Sequence, residues 1–272
     1  MPELPEVETI KNELSPHIIG RRFTGIAICD AKPIRQPSVE EFCRKLVGQK
    51  INSLKRRGKY LIFHLSNGEA LIMHLRMSGA LLLNPEQPDS YARVIFYFDN
   101  NDQLVFTDRR RLGALWLVEN KQAIIGKLGP EPLVPEFTIN TLAERLHKHK
   151  APIKAVLLDQ GTIAGIGNMY ADEALFKARI HPLRKANSLS PQEIQDLYQA
   201  IRHVLCSAID NKGASIDTYK RPEGEIGTAH FNFSVAHRGG EPCPVCGTPL
   251  QRLAIRNRGS YYCPNCQEAR QT

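Results

Sequence analysis

The chain has 272 residues, 42% of them hydrophobic and 24% charged, with a formal net charge of +8. That length suggests about two domains. The composition fits a globular protein, and no apolar run approaches the ~18 residues of a membrane-spanning helix. The acidic start lacks the basic-then-apolar pattern of a signal peptide, so a cytoplasmic, bacterial protein is expected. The basic residues cluster as "KRRGK" at 55–59, "DRRR" at 108–111 and "HKHK" at 147–150. Such clustering points to a nucleic-acid partner, although a generally basic solvated surface would look similar.

The chain opens "MPELPEVET". Pro5 followed by acids suits the first turn of a helix, and Val7, Ile10 and Leu14 recur at helical spacing. A series of β-rich runs follows: "GIAIC", "KINSLKR", "YLIFHL", "EALIMHL", "ALLL", "ARVIFYF", "QLVFT" and "ALWLV". "SNGE" and "DNNDQ" connect neighbouring runs as hairpin turns. The first 125 residues therefore predict an antiparallel β-sandwich with a leading helix. The Pro/Gly-rich stretch "GKLGPEPLVPEF" starts a linker over 126–136. A helical domain is predicted over 137–236, its last helical run started by Ser190, Pro191 and Glu193 as a capping box, with residues 213–236 irregular and carrying several glycines. In "GIGNMYADEALF", Asn168 is read as an N-cap. A glycine-rich turn between helices resembles a helix–two-turns–helix DNA-binding element, whose free N–H groups suit phosphate. The predicted class is α+β.

Seven cysteines are present. Cys29, Cys43 and Cys206 are isolated and are read as small core residues. "CPVC" at 243–246 and "CPNC" at 263–266 give C-x2-C-x16-C-x2-C in a segment, 237–272, with little apolar mass. Four thiolates at this spacing suit one structural Zn²⁺, whose binding would supply the missing folding energy. Redox thiols are the alternative. Arg252, Arg256 and Arg258 lie between the pairs, on a predicted β-hairpin suited to phosphate.

"MPELPEVET", "RRGKYL" at 56–61, "MHLRMSG" at 73–79, "GIGNMYADEALF" at 165–176 and the four-cysteine segment occur in one order over nearly the whole chain. Together they resemble the bacterial formamidopyrimidine-DNA glycosylases. The resemblance implies an enzyme that excises oxidised purines such as 8-oxoguanine and formamidopyrimidines from duplex DNA. It would then cut the strand by β,δ-elimination, as a monomer in the cytoplasm at the nucleoid. Pro2 would be the nucleophile once Met1 is removed, since a free secondary amine is partly uncharged near neutral pH. Glu3 matches the general acid/base and Glu6 a second active-site carboxylate. Lys59 matches a proton-transfer lysine and Arg258 a zinc-hairpin arginine, each with ordinary phosphate contact as its other reading. Met77, Arg110 and Leu112 match the residues that fill the gap left by a flipped base. Relatives commonly carry phenylalanine where Leu112 stands, and often histidine where Tyr91 stands. Lys150, His74, Lys154 and Asn168 match DNA-contact positions, and residues 213–231 match a loop that covers the flipped base. Two other readings stay open: an endonuclease VIII-like enzyme for oxidised pyrimidines, and a non-catalytic zinc-finger nucleic-acid-binding protein.

Overall fold

A computed structural model describes residues 1–87 and 89–269, which form two compact units. The first contains residues 1–127 and 209–230, the second 128–208 and the rest. No helix among the described residues is long and apolar enough to cross a membrane.

The first unit begins with α1 (Leu4–Ile18), whose Val7, Ile10, Leu14 and Ile18 form one fully buried stripe. The strands follow as β1 (Phe23–Ile28) and β2 (Ile34–Gln36), and after α2 (Val39–Leu46) as β3 (Ile51–Arg57), β4 (Tyr60–Leu65), β5 (Ala70–His74) and β6 (Gly79–Leu83). β7 (Ala92–Phe98), β8 (Gln103–Asp108), β9 (Ala114–Val118) and the short α3 (Gln122–Ile125) complete the unit's first stretch. One sheet has the order β1-β7-β8-β6, the other β2-β9-β5-β4-β3. Alternate residues point inward, as strand geometry requires: Leu61, Phe63 and Leu65 on β4, and Leu71 and Met73 on β5, share a core with Phe96 on β7 and Phe106 on β8.

Every predicted strand is present, and β2, α2 and the short α3 are additions. β2 is only three residues long, lies between Pro33 and Pro37, and pairs with β9 in parallel. The first unit is therefore not wholly antiparallel, and so short a strand between two prolines carries no period-2 signal. α2 also escapes the sequence reading, because only Phe42 and Leu46 are buried along it. Its start is nevertheless marked by the Ser38 hydroxyl, which accepts the Glu41 N–H at 3.3 Å.

The second unit holds α4 (Ile139–His147), α5 (Ile153–Leu157), α6 (Asn168–Lys177) and most of α7 (Pro191–Asp210). The predicted capping box starts α7: Ser190 N–H donates to Glu193 Oε2 at 2.7 Å and Glu193 N–H to Ser190 Oγ at 3.2 Å. Between α5 and α6, the Gln160 side chain stitches the turn, donating to Ile166 O at 2.8 Å and accepting from Gly165 N–H at 2.9 Å. β10 (Gln251–Ile255) and β11 (Arg258–Tyr262) form the predicted hairpin, with Arg256 and Asn257 both at positive φ in its two-residue turn. That is the turn geometry that matches the twist of paired strands. Cys43 is half-buried against the core, whereas Cys29 and Cys206 are exposed and are not the core residues expected.

Candidate functional site

In the first unit the predicted residues gather around the head of α1. Glu3 takes the N-cap position and Glu6 the third helical one, closing a capping box that satisfies N–H groups left free at a helix start. Pro2, Glu3 and Glu6 are all buried. Both Glu6 oxygens accept backbone N–H groups: Oε2 from Glu3 at 2.7 Å and Oε1 from Ala214 at 2.8 Å. Glu6 thus ties the chain start to the first residues of the 213–231 segment. Gly213 sits at φ +78°, and a Cβ there would lie 3.0 Å from Glu6 Oε1, so only glycine fits without strain.

Lys59 lies in the tight β3–β4 turn and is 4% exposed. The turn is held beside α1 by Arg56, whose Nε donates to Glu8 Oε2 at 2.6 Å and whose guanidinium also donates to Gly58 O at 3.1 Å. Burial pushes the Glu8 carboxyl upward, but hydrogen bonds and charge from Lys11 and Arg56 outweigh it and hold Glu8 below the usual carboxylate range. His74 pairs across the strands with Tyr60, next to Lys59. Its Nδ1 accepts the Arg76 N–H at 3.0 Å. Burial, reinforced by the positive charges of Arg76 and Lys59, lowers its pKa to about 3. His74 is therefore neutral near pH 7 and offers an Nε2–H donor, not a cation.

Met77, Tyr91 and Leu112 are exposed large apolar or aromatic side chains, and Arg110 is exposed beside Leu112. They stand on three separate connections around Asp108, whose N–H bonds to Tyr91 O at 2.9 Å.

In the second unit two of the predicted residues differ from expectation. Asn168 is not the N-cap of α6. Gly167 takes that place, and Asn168 Nδ2 instead donates to Gly259 O at 2.9 Å. Lys154 is fully buried and pairs with Asp172 at 2.7 Å, with a further bond to Gly259 O at 3.2 Å. It is therefore not on a surface where it could grip phosphate. Asp172 also accepts the Tyr261 N–H at 3.1 Å. Burial raises its pKa to about 7 against the pull of Lys154. Asn168, Lys154 and Asp172 thus fasten β11 on both sides of Ser260, next to the exposed Arg258. Lys150 is exposed just after α4.

The Sγ atoms of Cys243, Cys246, Cys263 and Cys266 all lie within 4.8 Å of one another. Individual separations of 3.9, 3.5 and 3.5 Å match the roughly 3.8 Å edge of a tetrahedron with ~2.3 Å Zn–S bonds. The Val245 and Cys266 N–H groups point at Cys243 Sγ and Cys263 Sγ at 3.5 and 3.4 Å, as donors to thiolates do. The residues fit one Zn²⁺. Four thiolates saturate it, so the metal is structural. Around it Phe176, Val235 and Leu250 supply only a small apolar cluster.

Three anchoring residues were missed in the sequence: Asp108, Asp172 and Glu173. Glu173 accepts the N–H groups of Ser234, Val235 and Ala236 at 2.8–2.9 Å. The available signal was acids inside otherwise apolar helical or strand patterns.

Family models match three successive parts of the chain. They are the formamidopyrimidine-DNA glycosylase N-terminal domain over residues 1–115, the H2TH domain of the same proteins over 128–220, and a zinc finger found in FPG and IleRS over 240–269. A formamidopyrimidine-DNA glycosylase of Chloroflexus aurantiacus is 45% identical, with 98% of each chain covered. That of Symbiobacterium thermophilum is 44% identical over 98% of this chain and 89% of its own. The crystal structure of the MutM (Fpg) protein of Thermus thermophilus superposes with a TM-score of 0.90 at 37% identity, covering 98% of both chains. A complex of Lactococcus lactis Fpg with abasic-site DNA gives 0.91 at 34% identity, covering 98% of this chain and 99% of that one. Likeness of this strength over the full length of both units places the chain in the formamidopyrimidine-DNA glycosylase family.

Proposed function

We propose that the protein is a base-excision-repair glycosylase that removes oxidised purines from duplex DNA, working at the chromosome, and then cuts the strand at the abasic site. The seating of Pro2 and Glu3 carries this reading. Both are buried at the start of a capped helix, with the Glu3 backbone fixed by Glu6. Such rigidity suits a nucleophile that must meet one carbon of a flipped nucleotide. Solved relatives from Lactococcus lactis hold Fapy-dG and abasic-site DNA, which supports the same substrate class.

In this reading Met1 is removed and the Pro2 nitrogen attacks the sugar C1′. The bond from C1′ to the base breaks, its electrons leave with the base, the base takes a proton, and the Pro2 nitrogen releases the proton it carried. The sugar ring then opens: the C1′–O4′ bond breaks, O4′ takes a proton delivered by Glu3, and C1′ and Pro2 share an iminium. The iminium acidifies C2′, whose proton is abstracted, and the C3′–O bond breaks with the 3′ phosphate as leaving group. A second elimination removes the C4′ proton and breaks the C5′–O bond with the 5′ phosphate as leaving group, and water hydrolyses the iminium to free Pro2. Lys59 assists proton transfer, and Arg258 grips phosphate during the later step. His74, Tyr91, Lys150 and Asn168 serve as donors to the DNA backbone. The 213–231 loop covers the extruded base. Zinc braces the hairpin and takes no part in the chemistry.

Incubation with duplexes carrying 8-oxoguanine, a formamidopyrimidine or an oxidised pyrimidine tests the proposal. Excision of the purine lesions is expected. Exclusive excision of pyrimidines would favour the endonuclease VIII reading, and binding without excision would favour the non-catalytic one.

A further inference from the structure

We infer that Ser78 and Asp108 join the two wedge-bearing loops into one part, so that Met77, Arg110 and Leu112 enter a base stack in fixed register. The inference rests on the glycosylase reading, in which those three side chains fill the gap left by the flipped base.

Asp108 ends β8 and is fully buried. A carboxylate persists in such a place only if its oxygens are satisfied. Oδ2 accepts the Gly113 N–H at 2.6 Å, while Oδ1 accepts the Ser78 hydroxyl at 2.6 Å and the Arg110 N–H at 3.2 Å. Ser78 Oγ also accepts the Arg110 N–H, at 3.0 Å. The backbone of Arg110 is therefore held by oxygens from both loops.

The surroundings agree with this arrangement. Residues 109–112 are exposed, whereas Asp108 and Gly113 are buried. One carboxylate thus pinches both ends of the loop and leaves its middle projecting. A Cβ on Gly113 would lie 2.4 Å from Phe106 Cζ and 3.1 Å from Asp108 Oδ2, so the close approach needs glycine there. Within the loop, the Arg111 guanidinium is fixed on Asp30 by bonds of 2.6 and 3.0 Å. In the other loop Ser78 is 5% exposed while its neighbour Met77 is 38% exposed. Two independent loops would each lose conformational freedom on every insertion, and a pre-formed wedge avoids that loss. Ser78 and Asp108 touch no reacting atom; they are positioning residues.

The test is the ratio of two single-turnover rates. One is 8-oxoguanine excision from a duplex. The other is cleavage of an abasic site in a single strand, which has no partner strand to wedge. Ser78→Ala is expected to lower this ratio at least fivefold. A smaller change, including equal loss of both rates, overturns the inference. Asp108→Asn, whose amide nitrogen cannot accept an N–H, is read by the same ratio and gives the answer if S78A does not fold. Wild-type protein that leaves 8-oxoguanine in place refutes the glycosylase reading and the inference with it. Wild-type excision with a ratio that changes less than fivefold refutes the lock alone.

Discussion

Lys154→Met removes the ammonium from a pair whose side chains are 0% and 1% exposed. Asp172 is then left in the same dry place with the Tyr261 N–H still donating to it, and Gly259 O loses one donor. Below pH 7 the loss should be that of hydrogen bonds to a buried polar site, about 1–3 kcal/mol. The sign of the pH dependence follows from Asp172. Burial raises its folded pKa to about 7 despite Lys154, well above the ~3.9 of an unfolded aspartate. A raised acid stabilises the fold at low pH, and that contribution is lost as pH rises through the folded value. Without Lys154 the folded value climbs further. Above pH 7 the wild-type carboxylate is ionised and paired, whereas the variant must keep its proton or bear an unpaired charge. The deficit should then grow by ~1.4 kcal/mol per pH unit. By pH 9 it should approach the ~3–5 kcal/mol typical of a broken buried pair. Urea unfolding followed by circular dichroism, with zinc release read by a chromogenic chelator, measures it. Adding Asp172→Asn to Lys154→Met should flatten the pH dependence. A Lys154→Met deficit equal at pH 6 and pH 9 would mean that Lys154 does not hold the ionised Asp172 in place.

Glu6→Gln keeps one acceptor oxygen for two buried N–H groups. It should cost about 1–3 kcal/mol and slow abasic-site cleavage; unchanged stability and rate would remove Glu6 from the positioning of Pro2. Zinc removal should abolish binding to abasic-site duplex. Because Trp116, the chain's single tryptophan, sits on β9 in the other unit, its fluorescence should persist, and retained binding would take the hairpin out of the DNA grip. Leu112→Phe, at a side chain 40% exposed, should change discrimination among opposite bases more than the chemical step. A changed step with unchanged discrimination would contradict the wedge assignment.

The elements with strong periodicity were readable in the sequence. The stripe Val7, Ile10, Leu14 is α1, and the alternating runs are β-strands, because burial on one face dictates the pattern. The cysteine quartet was readable because zinc geometry restricts spacing. α2 and β2 were not, since few of their residues enter the core and β2 finds its partner 80 residues away at β9. Single polar residues were the least legible. Lys154 looks like any phosphate-binding lysine until Asp172, 18 residues on, is seen beside it. Asp108 reads only as the head of the basic run "DRRR", and its role depends on Ser78, a partner 30 positions away. Motif resemblance proposes where the chemistry lies, while only tertiary structure separates surface contacts from buried anchors.

In the proposed reaction the Pro2 nitrogen becomes covalently attached to DNA. Borohydride added during reaction with an 8-oxoguanine duplex should trap an adduct, and peptide mapping by mass spectrometry should locate it on Pro2. A chain that retains Met1 through an N-terminal extension should give no adduct, because an amide nitrogen is not a nucleophile. Trapping on any other residue, or equal trapping by the extended chain, would contradict the account.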